Sequence, residues 1–244
     1  MKTVIIVQAR MGSTRLPGKV MKLVLNKPLL QHQIERLCRS SLADDVVVAT
    51  TTNDADKPIV SLCRALSIRF FRGPEDDVLT RYFNAATTAK ADNIVRVTSD
   101  CPLLDPRVVD RVIRYFMENQ SRMDYVSNTL RRTYPRGMDC EVFPMRILQE
   151  VNKLATSDSD REHVTSFIYR HPDRYRLGNV ACEKDYSQYR WTVDTPEDFA
   201  LVSMLMKAAH AVRADYTLQN CIDLMEKNPT WAQINAGVIQ KPVL

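Results

Sequence analysis

"VIIVQARMGSTRLPGKV" (residues 4–20) decides how the rest of the chain is read. Val4-Ile5-Ile6-Val7 is a short unbroken apolar run and reads as a buried strand. It stops at a polar loop that sets Arg10, Arg15 and Lys19 among Gly12, Ser13, Pro17 and Gly18. Pro28, tolerated in a first turn, then opens a helical pattern with Leu29, Leu30, Ile34 and Leu37 on one face. The same alternation continues outward: a strand over 46–49, a helix over 55–66, a strand over 68–71 and a helix over 75–90. A strand over 94–97, a helix over 106–119 and a strand through Tyr125 and Val126 follow. Such spacing predicts βαβ units, hence an α/β fold with a mostly parallel sheet and helices on both faces. Ligands of such sheets sit at the carboxyl ends of the strands. The loop after the first strand and Asp100 after the fourth are therefore expected on one edge.

After residue 128 the alternation breaks. "RRTYPRGMDCEVF" (131–143) reads as a loop feeding a strand, followed by helical stretches near 145–155 and 159–170. "RYRLGNVA" (174–181) and "YRWTVD" (189–194) read as strands, and helices are expected near 196–210 and 217–226. Residues 1–244 are expected to form a single domain, with 129–190 as an insertion that lids the site or makes a dimer contact.

The composition narrows the function classes. The 244 residues are 45% hydrophobic, enough for a sizeable core, and 34 basic against 29 acidic residues give a net charge of +5. That mild, mixed charge lacks the basic stripe with interleaved aromatics of a nucleic-acid binder and suits local cation clusters for a small anion. The six cysteines include no C-x-x-C pair, so neither a zinc site nor a disulfide framework is expected, and buried reduced thiols are. Neither a secretory leader nor an apolar run long enough to cross a membrane is expected, which fits a cytoplasmic enzyme without a membrane partner.

The opening loop is near a P-loop without being one. Gly12 to Gly18 is one residue too long, and Val20 stands where a magnesium-binding hydroxyl would be. A G-x-G-x-x-G fingerprint is absent as well. Polyphosphate binding still makes physical sense: backbone N–H groups of a glycine-containing loop can face phosphate oxygens, with two arginine forks and a mobile lysine charge beside them. A merely solvated surface loop is the alternative.

"QARMGSTRLPGKVM" with "NKPLLQHQIER" resembles the opening of the cytidylyltransferases that make CMP-activated sugar acids, the CMP-Kdo and CMP-sialic acid synthetases, and most of all their spore coat polysaccharide biosynthesis protein F branch. "FRGPEDDVLTRY" (71–82), "RVTSDCPLLDP" (96–106), "YPRGMDCEVF" (134–143), "REHVT" (161–165) and "RWTVDTPEDF" (190–199) extend the likeness over roughly residues 1 to 205. The resemblance implies a Rossmann-like α/β/α sandwich of the nucleotide-diphospho-sugar transferase type, commonly dimeric. It also implies a reaction in which a sugar hydroxyl attacks the α-phosphorus of CTP and pyrophosphate leaves. It places nucleotide binding on Ala9, Arg10, Gly12, Ser13, Arg15 and Lys19, and Mg2+ on Asp100 and Asp194. Arg15, Lys19, Asp100 and Asp194 are thereby the expected catalytic group. Where the Kdo enzymes carry a glutamine near the base, this chain has Thr98, so cytosine is expected to be read differently.

The residues themselves allow the same reading and one rival. Magnesium takes one or two carboxylates plus phosphate oxygens. Each aspartate can instead cap the next helix, and Asp194 before Thr-Pro-Glu-Asp is a good helix-start signal. Strand alternation puts Asp139 and Glu141 on one face, where they could meet sugar hydroxyls, with Arg136 pairing an acidic group. Arg161 and His163 lie near a helix start and complete the expected acceptor set, His163 as a base or sugar contact. The expected partners are thus CTP and an anionic sugar acceptor, probed by arginine forks. A glycosyltransferase of related fold would favour a D-x-D motif, and "SDC" (99–101) holds one aspartate only. A non-catalytic nucleotide-binding protein would have less need of all four of Arg15, Lys19, Asp100 and Asp194.

Overall fold

The computed structural model describes residues 1–240; the last four residues of the expected single domain lie outside them. In chain order the strands are β1 (Thr3–Gln8), β2 (Leu23–Val24), β3 (Lys27–Pro28), β4 (Asp45–Thr51), β5 (Arg69–Gly73), β6 (Asn93–Thr98), β7 (Tyr125–Ser127), β8 (Glu141–Pro144) and β9 (Leu177–Asn179). The helices are α1 (Leu29–Leu37), α2 (Lys57–Ala65), α3 (Val78–Ala89), α4 (Pro106–Asn119), α5 (Met145–Leu154), α6 (Asp158–His163), α7 (Ser166–Arg170), α8 (Pro196–Val212) and α9 (Leu218–Lys227).

The sheet has seven strands in the order β5-β4-β1-β6-β8-β7-β9. β5, β4, β1 and β6 pair in parallel, and β8 alone runs against its neighbours. The unbroken apolar run of β1 has a simple cause. Ile5 and Val7 belong to one core with α1, α2, α4, α8 and α9, while Val4 and Ile6 belong to a second with α3, α5 and α7. Successive side chains point to opposite faces, so a strand covered on both needs apolar residues at every position. The result is a three-layer α/β/α sandwich with a mostly parallel sheet, as the periodicity predicts. β1 pairs with β6 as Gln8↔Thr98, which starts the loops after both strands side by side.

Three local expectations differ. "YRWTVD" makes no strand: its segment forms one bridge, Arg136↔Arg190, and the ladder ends there. Gly137, the next residue, takes φ +106, which is outside extended strand geometry. The helix expected over 159–170 is two short ones, α6 and α7. Val164 sits at φ 63 and ψ −55, and Thr165 N donates to His163 O at 2.6 Å, which is a γ-turn and a strained position for a β-branched residue. The thiols are all free, but Cys38 is exposed and Cys182 half-buried while the other four are buried.

Residues 129–190 supply β8 inside the sheet, α5 to α7 on one face and β9 at the edge. The loop leading into β8 is clasped at its neck by Asn128, whose Nδ2 donates to Met138 O (2.7 Å) and whose Oδ1 accepts from Cys140 N (2.9 Å). No helix of the described residues is long and apolar enough to cross a membrane.

Candidate active site

The loop after β1 is folded by its own backbone and by one buried carboxylate. Ser13 N and Gly18 N both donate to Met11 O at 3.0 Å, and Gly18 takes φ 66, a left-handed turn that suits glycine. Met11 N donates to Asp56 Oδ1 at 2.7 Å, and Asp56 also accepts from Thr50 Oγ1, Thr51 N and Thr51 Oγ1. Burial pushes the Asp56 carboxyl up, but these donors outweigh it and hold it below the usual range. Asp56 went unread in the sequence; its signal is an acid set just after the threonines that end β4. Val20 is buried and pins the far end of the loop, where Lys19 opens a 3-10 turn.

Lys19 is the meeting point. Its Nζ lies 3.1 Å from Asp100 Oδ2 and 2.9 Å from Asp194 Oδ1. Asp194 Oδ2 lies 3.0 Å from Arg15 and 2.8 Å from Arg190. Three segments far apart in sequence thus converge on one sheet edge. The convergence is fastened by backbone: Val193 N donates to Asp100 O at 2.8 Å, and Thr192 Oγ1 to the same oxygen at 3.3 Å. Trp191 is fully buried and stacks on Tyr189 at 5.6 Å, anchoring the segment in the core.

The electrostatics follow from burial and pairing. Burial pulls the Lys19 amine down, yet Asp100 and Asp194 together raise it above its ordinary value. Burial pushes the Asp100 carboxyl up, yet Lys19, with contacts from Thr98 and Cys101, holds it low. Thr98 Oγ1 donates to Asp100 Oδ1 at 2.6 Å, and Gln33 Nε2 donates to Thr98 O at 2.7 Å. Neither aspartate is a helix cap. Thr195 caps α8 in a capping box with Asp198, and the carboxylate that caps α4 is Asp105.

The donor set fits a magnesium ion shared with a polyphosphate. Two carboxylates already converge on one cationic nitrogen, while among the described residues no group of three or more His, Cys, Asp or Glu could hold a metal unaided. A hard ion bound by one or two carboxylates plus phosphate oxygens has this requirement.

The remaining expected residues fall into two groups. Ala9 is buried at the start of the loop, Arg10 lies 3.8 Å from Glu75, and Gly12 also faces Glu75; Ser13 Oγ accepts from Leu16 N at 3.4 Å. Arg136 is half-buried, and its guanidinium has no hydrogen bond or ion pair among the described residues. Burial and the neighbouring Arg132 lower its proton affinity, while Asp139, Arg190 and Asp194 also lie within its electrostatic reach. Asp139 precedes β8 instead of joining it, and pairs in two-point fashion with Arg132 at 2.6 and 2.8 Å. Glu141 is buried against Arg96, Tyr125 Oη (2.5 Å) and Thr165 Oγ1 (2.9 Å), so the two carboxylates share no partner. Arg161 is placed elsewhere: it staples α3 to the α5–α6 turn through Asp77 (2.7 Å), Thr80 (2.6 Å), Asn152 and Ala155, none of which touches Lys19. His163 ends α6 half-buried; burial lowers its pKa, and the cations Arg96 and Arg170 add to that.

Gly137 makes the convergence possible. A Cβ there would stand 2.7 Å from Trp191 C and 2.8 Å from Thr192 N, both backbone atoms, at a φ that side chains rarely adopt. Gly137→Ala should therefore push the 191–194 segment off the Arg136 strand. The expected cost is about 1–3 kcal/mol, roughly 2–10 °C in melting, with loss of nucleotide binding. Calorimetry and ligand titration on the variant check this, and a melting point at the wild-type value would show that the close approach is not required.

The profile of the Cytidylyltransferase family matches residues 4–233. The chain is 33% identical over 231 residues to the spore coat polysaccharide biosynthesis protein SpsF of Bacillus subtilis, covering 92% of this chain and 94% of that one. It is 34% identical over 127 residues to a 3-deoxy-manno-octulosonate cytidylyltransferase of Pelobacter propionicus, covering 52% of this chain and 49% of that one. Among solved structures, a cytidylyltransferase from Leptospira borgpetersenii superposes with a TM-score of 0.92 at 33% identity, covering 99% of this chain and all of that one (100%).

Proposed function

Because the chain belongs to the cytidylyltransferase family of nucleotidyltransferases, we propose that it transfers CMP from CTP to a sugar acid for surface polysaccharide biosynthesis, with magnesium and with release of pyrophosphate. The observation that carries this is the Lys19 junction: one ammonium within 3.1 Å of Asp100 and 2.9 Å of Asp194, at the strand ends where an α/β sheet binds ligands. The loop from Ala9 to Lys19 takes the triphosphate, with the Gly12 backbone N–H and the cations Arg10, Arg15 and Lys19 offered to its oxygens. Asp100 and Asp194 would hold magnesium, which would neutralise the phosphates and polarise the attacked phosphorus. Arg190 and Arg15 fix Asp194 from its other oxygen. Thr98, which donates to Asp100, is the residue assigned in this reading to the base of the nucleotide.

Arg136 supplies the acceptor's counter-charge. It stands beside the junction with its fork uncommitted among the described residues, and an arginine fork pairs a carboxylate in two-point fashion. Arg136→Ala should raise the KM for the sugar acid by about one to two orders of magnitude while leaving the KM for CTP nearly unchanged, since one charge-assisted contact is worth about 1.5–3 kcal/mol. Equal loss for both substrates, with a changed mass by light scattering, would assign Arg136 to a dimer contact instead.

The direct test offers each NTP, magnesium and a panel of sugar acids, sugar phosphates and neutral hexoses, and follows pyrophosphate. Release with CTP and a sugar acid, abolished by chelation, is expected. Release with a neutral hexose and with no acidic sugar would overturn the proposal.

A further inference from the structure

The segment after α9 is mostly exposed, with one exception. Between residues 232 and 240 only Asn235 is buried, at 5% exposure. A lone polar side chain buried on an exposed segment contributes little by apolar burial, so its hydrogen bonds are what hold it there. Asn235 Nδ2 donates to Asp198 Oδ1 at 2.8 Å and to Arg190 O at 3.0 Å. Asp198 is fully buried and also accepts from Arg190 Nε and NH2, both at 2.9 Å, from Asp194 N at 3.0 Å and from Thr195 N at 3.2 Å. Arg190 NH2 in turn donates to Asp194 Oδ2 at 2.8 Å.

These contacts join Asn235, Asp198, Arg190 and Asp194 in one network, with Asp198 and Arg190 between Asn235 and Asp194. We propose that Asn235 is a positioning residue for Asp194: it locks the Asp198–Arg190 fork, and the fork holds Asp194 with one oxygen on Arg190 and the other turned toward Lys19. The inference rests on the reading of Asp194 as a metal-binding carboxylate. The logic is mechanical. Asp198 meets Arg190 edge to edge, so any rotation of the Asp198 carboxylate tilts the guanidinium. A tilted guanidinium releases Asp194 Oδ2. Asn235 opposes the rotation by fixing Oδ1 from outside the fork, and it grips the Arg190 backbone at the same time. The same segment adds a second hold, Arg190 NH1 to Gln240 Oε1 at 2.6 Å. Asp194 is thus braced from a segment far along the chain from both the nucleotide loop and Asp100.

The test uses the full chain carrying Asn235→Leu, which keeps the branched shape and removes the donors, and Asn235→Ala, which removes the branch as well. Manganese is titrated in the presence of CTP and followed by electron paramagnetic resonance, alongside CTP binding without metal and thermal melting. Outer-shell partners of a metal ligand change its affinity on removal by about tenfold or more, and about tenfold weaker manganese binding is expected here, with metal-free CTP binding near wild type. Wild-type manganese binding in both variants, whatever their melting, would leave Asn235 a residue of the fold alone. Asp194→Asn serves as the reference. If it too binds manganese normally, the metal reading of Asp194 fails; if it loses manganese while the Asn235 variants do not, only the present inference fails.

Discussion

Asp194→Asn should lower turnover by about three orders of magnitude while the protein still folds. The substitution is nearly isosteric and keeps an oxygen toward Lys19, Arg15 or Arg190, but it removes the charge that would share a metal with the substrate. Metal-assisted charge stabilisation is worth several kcal/mol, and each 1.36 kcal/mol is about tenfold in rate. Three cations meet on this carboxylate, so melting should fall too, by roughly 2–10 °C for about 1–3 kcal/mol. Asp100→Asn should match the loss of turnover with a smaller loss of melting, because among the described residues Asp100 has one ion-pair partner, Lys19. Asparagine and aspartate cap helices about equally well. Wild-type pyrophosphate release by Asp194→Asn would therefore sink the metal role, and capping could not be invoked in its place, since Thr195 already caps α8.

Lys19→Ala carries the second large effect. CTP affinity should fall by about one to two orders of magnitude, the value of a charge-assisted contact to a phosphate. Calorimetric titration measures it, and undiminished affinity would move the triphosphate away from this loop. The variant should also change how the free protein responds to acid. Burial raises the Asp100 pKa and the Lys19 charge is the first of the influences that lower it, so the folded value lies below the unfolded one. A carboxyl of that kind stabilises the fold above its unfolded pKa, and the contribution is lost as pH falls through the folded value. Without Lys19 the folded value climbs toward the unfolded one, so this contribution shrinks. What is left of it should be lost at a higher pH than in wild type, and melting measured from pH 7 downward resolves the difference.

What could be seen in the sequence was whatever depends on near neighbours. The strand over 4–7, the helices over 29–37 and 106–119 and the shared edge of the Lys19 loop and Asp100 all follow from periodicity and chain order. What stayed hidden depends on partners far along the chain. "YRWTVD" has strand-like composition, but its fate was decided by Gly137, more than fifty residues earlier. Glu141 is expected to meet sugar hydroxyls beside Asp139, but β8 lies between β6 and β7, where its cross-strand neighbour is Arg96. Arg161 sat in a motif that pointed to the acceptor, yet its fork closes on Asp77 and Thr80. Asp56 and Asp198 have some donors nearby in sequence, but the ones that tie them to the site, Met11 N and Asn235 Nδ2, are far along the chain.

β8 runs against the other strands, so it enters the sheet at the edge where they leave it. The stretch 129–139 therefore reaches the candidate site although it precedes a strand, and Asn128 closes it at the neck. Such a loop is a graftable cassette. Exchanged between relatives as one piece, it should carry acceptor preference with it and leave the nucleotide loop as it was. Two joints limit the exchange. Thr133 accepts the 180s through Tyr186 N and Cys182 N, and Gly137 admits Trp191. Chimeras that keep Thr133 and Gly137 should melt near the parent protein, and those that replace either should melt lower.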